Sequence, residues 1–231
     1  MKNNRENSGQ GSVLVEVEDL LVKYGKNIAL QVEKLTVPRG RILVIGPNAS
    51  GKTTFIKAVL GLLRPKRGKI RILGLNPLKE MNRLYEMTTY VPDGNPLPGG
   101  LRLSSLVSML SEIYGDTRVG EVVKMLGLTP YMEKRLGDLS KGTLRKASLL
   151  IALVSDKELI VIDEPFSGLD SKTRSIVSKI LGEREGSLVV ISHIPLKIEF
   201  DYLLIIEAGK IAYAGEYRDP AELGYDLFSW R

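Results

Sequence analysis

The run Gly46-x-x-x-x-Gly51-Lys52-Thr53 joins a glycine-bounded loop to a lysine and a hydroxyl. Glycines let successive backbone N–H groups turn inward onto phosphate oxygens, while a lysine brings a point charge to the β- and γ-phosphate positions of a nucleoside triphosphate. A threonine next to that lysine is placed to hold Mg²⁺. The residues expected to touch the nucleotide here are Gly46, Pro47, Asn48, Ala49, Ser50, Gly51, Lys52, Thr53 and Thr54. A second run, Leu159-Ile160-Val161-Ile162-Asp163-Glu164, sets two carboxylates at the end of an apolar stretch. Burying such a pair is costly unless a cation or a proton offsets the charge. Asp163 is therefore assigned to the Mg²⁺ shell through water, and Glu164 to the attacking water as general base.

These side chains need strands and helices to aim them. Arg41–Ile45 reads as a short strand that runs into the glycine loop, and Phe55, Ile56, Val59, Leu60 and Leu63 have helical spacing across Lys52–Leu63. Strand, loop and helix in that order are the context a phosphate loop requires. Ahead of them, Val13–Val17 and Asn27–Val37 read as strands flanking Tyr24-Gly25, while Lys69–Leu73 and Thr88–Val91 read as further short strands split by a segment punctuated with Pro and Gly. From Leu103 to about Leu153 the pattern turns helical. Leu159–Ile162 and Ser187–Ile191 are continuous apolar strands around a helix at Ser171–Leu181, the texture of a parallel sheet covered on both faces. Leu203–Ile206 and Ile211–Ala214 close as a hairpin around Ala208-Gly209. The expected fold is α/β: a phosphate-loop core with a mainly parallel sheet, an N-terminal antiparallel β portion and an inserted helical sub-domain at about 94–155. Residues 13–231 form one domain on this reading, and Met1–Ser12, polar throughout, a flexible tail.

At 231 residues the chain has room for one well-buried core. Its longest apolar runs, such as Leu149–Val154, fall far short of the ~20 residues that a membrane-spanning helix needs. With no cysteine there is neither a disulfide framework nor a thiolate metal cluster, which fits a reducing compartment. The formal net charge of +6 is spread along the chain without a basic run or interleaved aromatics, so no nucleic-acid partner is expected.

Phosphate loops with an acidic strand end serve many hydrolases; four further elements narrow the choice. Leu139-Ser140-Lys141-Gly142-Thr143 resembles the signature of ABC-type ATPases, usually Leu-Ser-Gly-Gly-Gln. Ser167-Gly168-Leu169-Asp170 is similar to that family's D-loop, Ile191-Ser192-His193 to its switch histidine, and Tyr24 stands where the family stacks an aromatic ring on adenine. The chain thus resembles the ATP-binding subunit of an ABC transporter over nearly its whole length.

The resemblance implies ATP and Mg²⁺ as ligands, with His193 contacting the γ-phosphate. It also implies a dimer, homo- or heteromeric, in which Ser140 and Gly142 face the γ-phosphate held by the second ATPase subunit, with Asp170 among the nucleotide-binding residues, and a separate transmembrane permease that holds the protein against the cytoplasmic face of the membrane. Simpler roles stand beside these: Ser140 as a plain helix cap, Asp170 as the cap of the next helix, and Tyr24 as a packing residue. In two places the chain departs from the pattern. Val91-Pro92-Asp93 carries a carboxylate where the family has the Q-loop glutamine, so Asp93 is a candidate Mg²⁺ ligand that adds negative charge near the γ-phosphate. Lys141 and Thr143 replace the first glycine and the glutamine of the signature.

The transporter ATPase is the leading expectation. A soluble ABC-type ATPase of translation or DNA repair, and a weakly hydrolysing regulatory dimer supported by Asp93, are the alternatives. The short stretch after Ala214 leads us to expect none of the C-terminal regulatory domain that sugar-importer ATPases carry.

Overall fold

The computed structural model describes residues 13–94, 96–193 and 198–225, so the expected Met1–Ser12 tail lies outside the described residues. In chain order the elements are β1 Val13–Tyr24, β2 Asn27–Pro38, β3 Arg41–Ile45, α1 Lys52–Val59, β4 Arg67–Ile72, α2 Met81–Met87, β5 Thr88–Val91, α3 Leu103–Tyr114 and α4 Asp116–Met125. Then come α5 Lys141–Val154, β6 Leu159–Asp163, α6 Ser171–Glu183, β7 Ser187–Ile191, β8 Tyr202–Glu207 and β9 Lys210–Glu216. Two 3₁₀ turns, Thr129–Tyr131 and Leu136–Asp138, lead from α4 to α5.

A three-stranded antiparallel sheet, ordered β2-β1-β4, stands against a six-stranded sheet ordered β5-β6-β7-β3-β8-β9. In the larger sheet every neighbouring pair is parallel except β8–β9. Its inner strands are apolar between their end residues because both faces are covered, and their two-residue period sorts the side chains. Leu43, Ile45, Ile160, Ile162, Leu188 and Val190 enter the core shared with α3 to α6. Ile42, Val44, Leu159, Val161, Val189 and Ile191 enter the core shared with α1 and the antiparallel sheet. Strand β7 lies between β3 and β6, so the ends of the glycine-loop strand and the acidic strand both border the end that leads to His193.

Three elements depart from the sequence expectation. Strand β1 runs on to Tyr24 because Asp19, at φ +47, makes a bulge against β4: Glu18 and Asp19 are exposed in succession and the alternation restarts one residue later. Helix α1 stops at Val59, since Gly61 at φ +74 ends it in a left-handed turn, although Leu60 stays buried. Helix α2 was not expected. It buries only Leu84, so it has no apolar period to read, and it is entered through a turn in which Asn76 Oδ1 accepts from Leu78 N and Glu80 Oε2 from Asn76 N.

Candidate active site

Backbone geometry accounts for the two glycines that bound the loop. Gly46 stands at φ +153, and a Cβ there would fall 2.0 Å from the Ile206 carbonyl oxygen, so no other residue fits. Ala49 at φ +62 and Gly51 at φ +107 turn the chain by left-handed steps, with a Ser50 N–H to Pro47 O bond of 3.2 Å closing the loop. Asn48 and Ala49 are exposed at its rim. Gly51 caps α1, whose first N–H groups, at Lys52, Thr53 and Thr54, face the loop with the positive end of the helix dipole. The Ser50 hydroxyl is buried with no hydrogen-bond partner among the described residues, which suits an anion at this position.

Lys52 is 8% exposed and folds into the loop, where its Nζ donates to Gly46 O at 2.8 Å and Pro47 O at 2.7 Å. Burial pushes its pKa down, against the pull of Glu164 and Asp163. An ammonium has three N–H bonds, so one remains for a phosphate oxygen.

Across the sheet, Thr53 Oγ1 donates to Asp163 Oδ2 at 2.8 Å, although the two residues are 110 positions apart. Burial raises the Asp163 pKa, the Thr53 bond lowers it, and Asp93 raises it again. One residue on, Glu164 adopts φ +50. A left-handed non-glycine residue costs of order 1–3 kcal/mol, and here it turns the carboxylate toward β7. There Glu164 Oε1 lies 2.7 Å from His193 Nδ1.

Burial is the main cause of a raised Glu164 pKa; the hydrogen bond and charge of His193 oppose it, Asp163 adds to it, and Lys52 opposes it. With Glu164 as the expected general base, which must be ionised to work, turnover should decline with falling pH through a limb above the ordinary carboxylate range. In His193→Ala, two influences that lower this pKa are gone, and the limb should move to higher pH. A kcat/KM profile on both proteins checks this; a limb that stayed put or moved down would separate Glu164 from the titration.

Ser140, Gly142 and Asp170 gather elsewhere. Ser140 caps α5, with its Oγ accepting from Thr143 N at 3.3 Å and lying 2.8 Å from Thr143 Oγ1. A Cβ on Gly142 would come within 2.9 Å of Gly168 O, so the absence of a side chain at Gly142 lets the α5 start and the loop before α6 approach closely. Asp170 caps α6 through Thr173 N at 2.8 Å and Oγ1 at 2.9 Å, and pairs with Lys146 at 3.4 Å. The Thr173 bonds, first of all the one from its backbone, bring its pKa down to about 2. Among the described residues no side-chain hydrogen bond joins Ser140 or Asp170 to the glycine loop. Tyr24, 52% exposed, ends β1 in a hairpin whose Ala29 carbonyl lies 2.9 Å from the Cβ position of Gly51. Asp93 is exposed, and its Oδ1 accepts from Gly94 N at 2.8 Å.

Arg145 escaped the sequence reading, which stopped at Thr143. It is 5% exposed and donates to the carbonyl oxygens of Pro92 at 2.9 Å, Asp163 at 2.5 Å and Glu164 at 2.8 Å. The clue was a charged residue on the buried stripe of a helix, three and four positions before Ser148 and Leu149.

Comparison with known proteins identifies the family and the fold. The family model described as ABC transporter matches residues 30–167. The manganese transport system ATP-binding protein MntB of Bacillus subtilis (strain 168) is 31% identical over 219 residues, which cover 86% of this chain and 85% of that protein. The bacitracin transport ATP-binding protein BcrA of Enterococcus faecalis is 28% identical over 194 residues, covering 80% and 63%. A solved structure described as the ATP-binding subunit of an ABC transporter superposes with a TM-score of 0.81 at 25% identity, covering 94% of this chain and 97% of that one. The chain belongs to the ABC transporter family, as an ATP-binding subunit that hydrolyses ATP to power transport.

Proposed function

We propose that hydrolysis proceeds at the meeting of Thr53–Asp163 and Glu164–His193, two side-chain pairs at the ends of neighbouring parallel strands. That convergence, at 2.8 Å and 2.7 Å, carries the assignment. The loop N–H groups and Lys52 hold the β- and γ-phosphates, and the exposed ring of Tyr24 is the adenine platform. Thr53 and Asp163, with Asp93 as a further oxygen donor, would hold Mg²⁺. Their hydroxyl and carboxylates are the oxygen donors that a hard cation takes, and Thr53 and Asp163 are already within hydrogen-bond distance of each other. When bound, Mg²⁺ supplies positive charge to the phosphate oxygens. Glu164 takes the proton of the attacking water at Oε2, since Oε1 is engaged by His193, and His193 is then near the γ-phosphate it would contact.

The exposed Ser140 and Asp170, away from the glycine loop, support a dimer in which each subunit's α5 start completes the other's ATP site. Among the described residues no helix is long and apolar enough to cross a membrane. Relatives such as MntB and BcrA are named as ATP-binding proteins of transport systems. Both observations support a separate permease chain that binds the protein to the cytoplasmic face of the membrane. Closure of the two subunits on ATP would then be passed to that permease as a rigid-body switch.

Tagged protein purified from detergent-solubilised native membranes, with Lys52→Ala as control, tests this. We expect a stoichiometric polytopic membrane protein with both forms. Ribosomal or DNA-repair partners in its place would overturn the permease assignment.

A further inference from the structure

Strands β5 and β6 lose their backbone pairing just where the chemistry sits. Their parallel ladder closes with Val91 opposite Ile162, and the next residue, Pro92, has no N–H to extend it. A side chain continues the connection. Arg145 bonds Pro92 O through one terminal nitrogen and both Asp163 O and Glu164 O through the other. The left-handed Glu164 is thereby held on both sides: its N–H by Ile191 O at 2.9 Å, its carbonyl by Arg145. Strained backbone persists where its surroundings over-determine it, and these are the contacts that do so here.

We propose that Arg145 is a positioning residue for hydrolysis, its guanidinium binding the loop that carries Asp93 and the Asp163–Glu164 turn into one unit. A displacement of the Asp93 loop is then passed directly to the base. The inference rests on Glu164 being that base. A planar fork of donors suits three carbonyl oxygens in a way that the point charge of a lysine does not. Burial of Arg145 disfavours its charge, and Asp93 leads the nearby acids that favour it, ahead of Asp163 and Glu164.

The test uses the full chain with Arg145→Lys and Arg145→Gln, each alone and combined with Glu164→Gln. In the single variants turnover should fall about 10²-fold, the scale of a displaced reacting group. Affinity for a fluorescent ATP analogue should stay within about threefold, and in the Glu164→Gln background either change should lower the residual rate by less than about threefold, because both act through one group. Amide hydrogen exchange in peptides spanning 163–167 should quicken about tenfold in Arg145→Lys while α1 is unaffected. That measurement also serves if Arg145→Gln does not accumulate as folded protein. Losses that multiply across the two backgrounds, or unchanged exchange at 163–167, would overturn the proposal. Full turnover in Glu164→Gln alone would instead remove the base assignment, and the exchange result would still report on the clamp.

Discussion

Glu164→Gln is expected to keep ATP bound while turnover falls roughly 10²–10⁴-fold, the usual contribution of a positioned general base. The substitution preserves shape. A glutamine amide can still meet His193 Nδ1 where Oε1 now lies, 2.7 Å away, and the backbone bonds from Glu164 N to Ile191 O and from Arg145 to Glu164 O do not involve the side chain. What disappears is an oxygen able to accept the water's proton. The change also takes a negative charge from beside the phosphates, so affinity should hold or rise. With hydrolysis blocked, ATP should shift the isolated protein toward a dimer in light scattering, the outcome expected of the proposal that Ser140 and Gly142 complete the site of a second subunit. Phosphate release within about threefold of the parent would place the base elsewhere. A mutant that stayed monomeric at high concentration with ATP would count against the two-subunit site.

The parts of this site that were legible in the sequence are those whose partners are close along the chain or whose burial is uniform. Gly46 to Thr54 announce themselves because glycines bound the loop at two positions of positive φ, Gly46 and Gly51, and β6 and β7 because a strand covered on both faces is apolar through its interior. Asp163 was legible for a related reason: a carboxylate that closes an apolar strand needs a cation. The bulge at Asp19 was hidden because a one-residue shift looks like the end of an alternating pattern. Helix α2 was hidden because one buried leucine makes no period. Arg145 shows the limit most clearly. Its three acceptors are backbone carbonyls 18, 19 and 53 positions away, and carbonyls leave no trace in residue identity. The resemblance supplied the roles of Ser140, Gly142 and Asp170; their local bonds alone describe two capped helices whose starts lie close together.

Lys52→Met should separate binding from folding. The methionine keeps the apolar stem and removes the ammonium, so the loop loses the charge it offers the phosphates. A hydrogen bond to a charged group contributes about 1.5–3 kcal/mol, which predicts Mg-ATP binding weaker by roughly 10–100-fold. Stability should move the other way. Burial lowers the folded-state pKa of Lys52, which means the folded protein holds that proton less tightly than the unfolded chain does. Such a lysine costs stability in full below its folded pKa, and the cost fades as pH rises from there toward the unfolded value. Two loop carbonyls offset part of it, at 2.8 Å and 2.7 Å, and the methionine side chain would leave them without that donor. We expect the relief of the buried charge to prevail, giving a nucleotide-free Tm at or above that of the parent at pH 7 and a gap that narrows in alkaline buffer. Calorimetry with and without Mg-ATP reads both effects in one protein. Affinity unchanged within about twofold would show that the phosphates lie away from Lys52, whereas a lower nucleotide-free Tm would show that its bonds to Gly46 and Pro47 stabilise the loop by more than burying the charge costs.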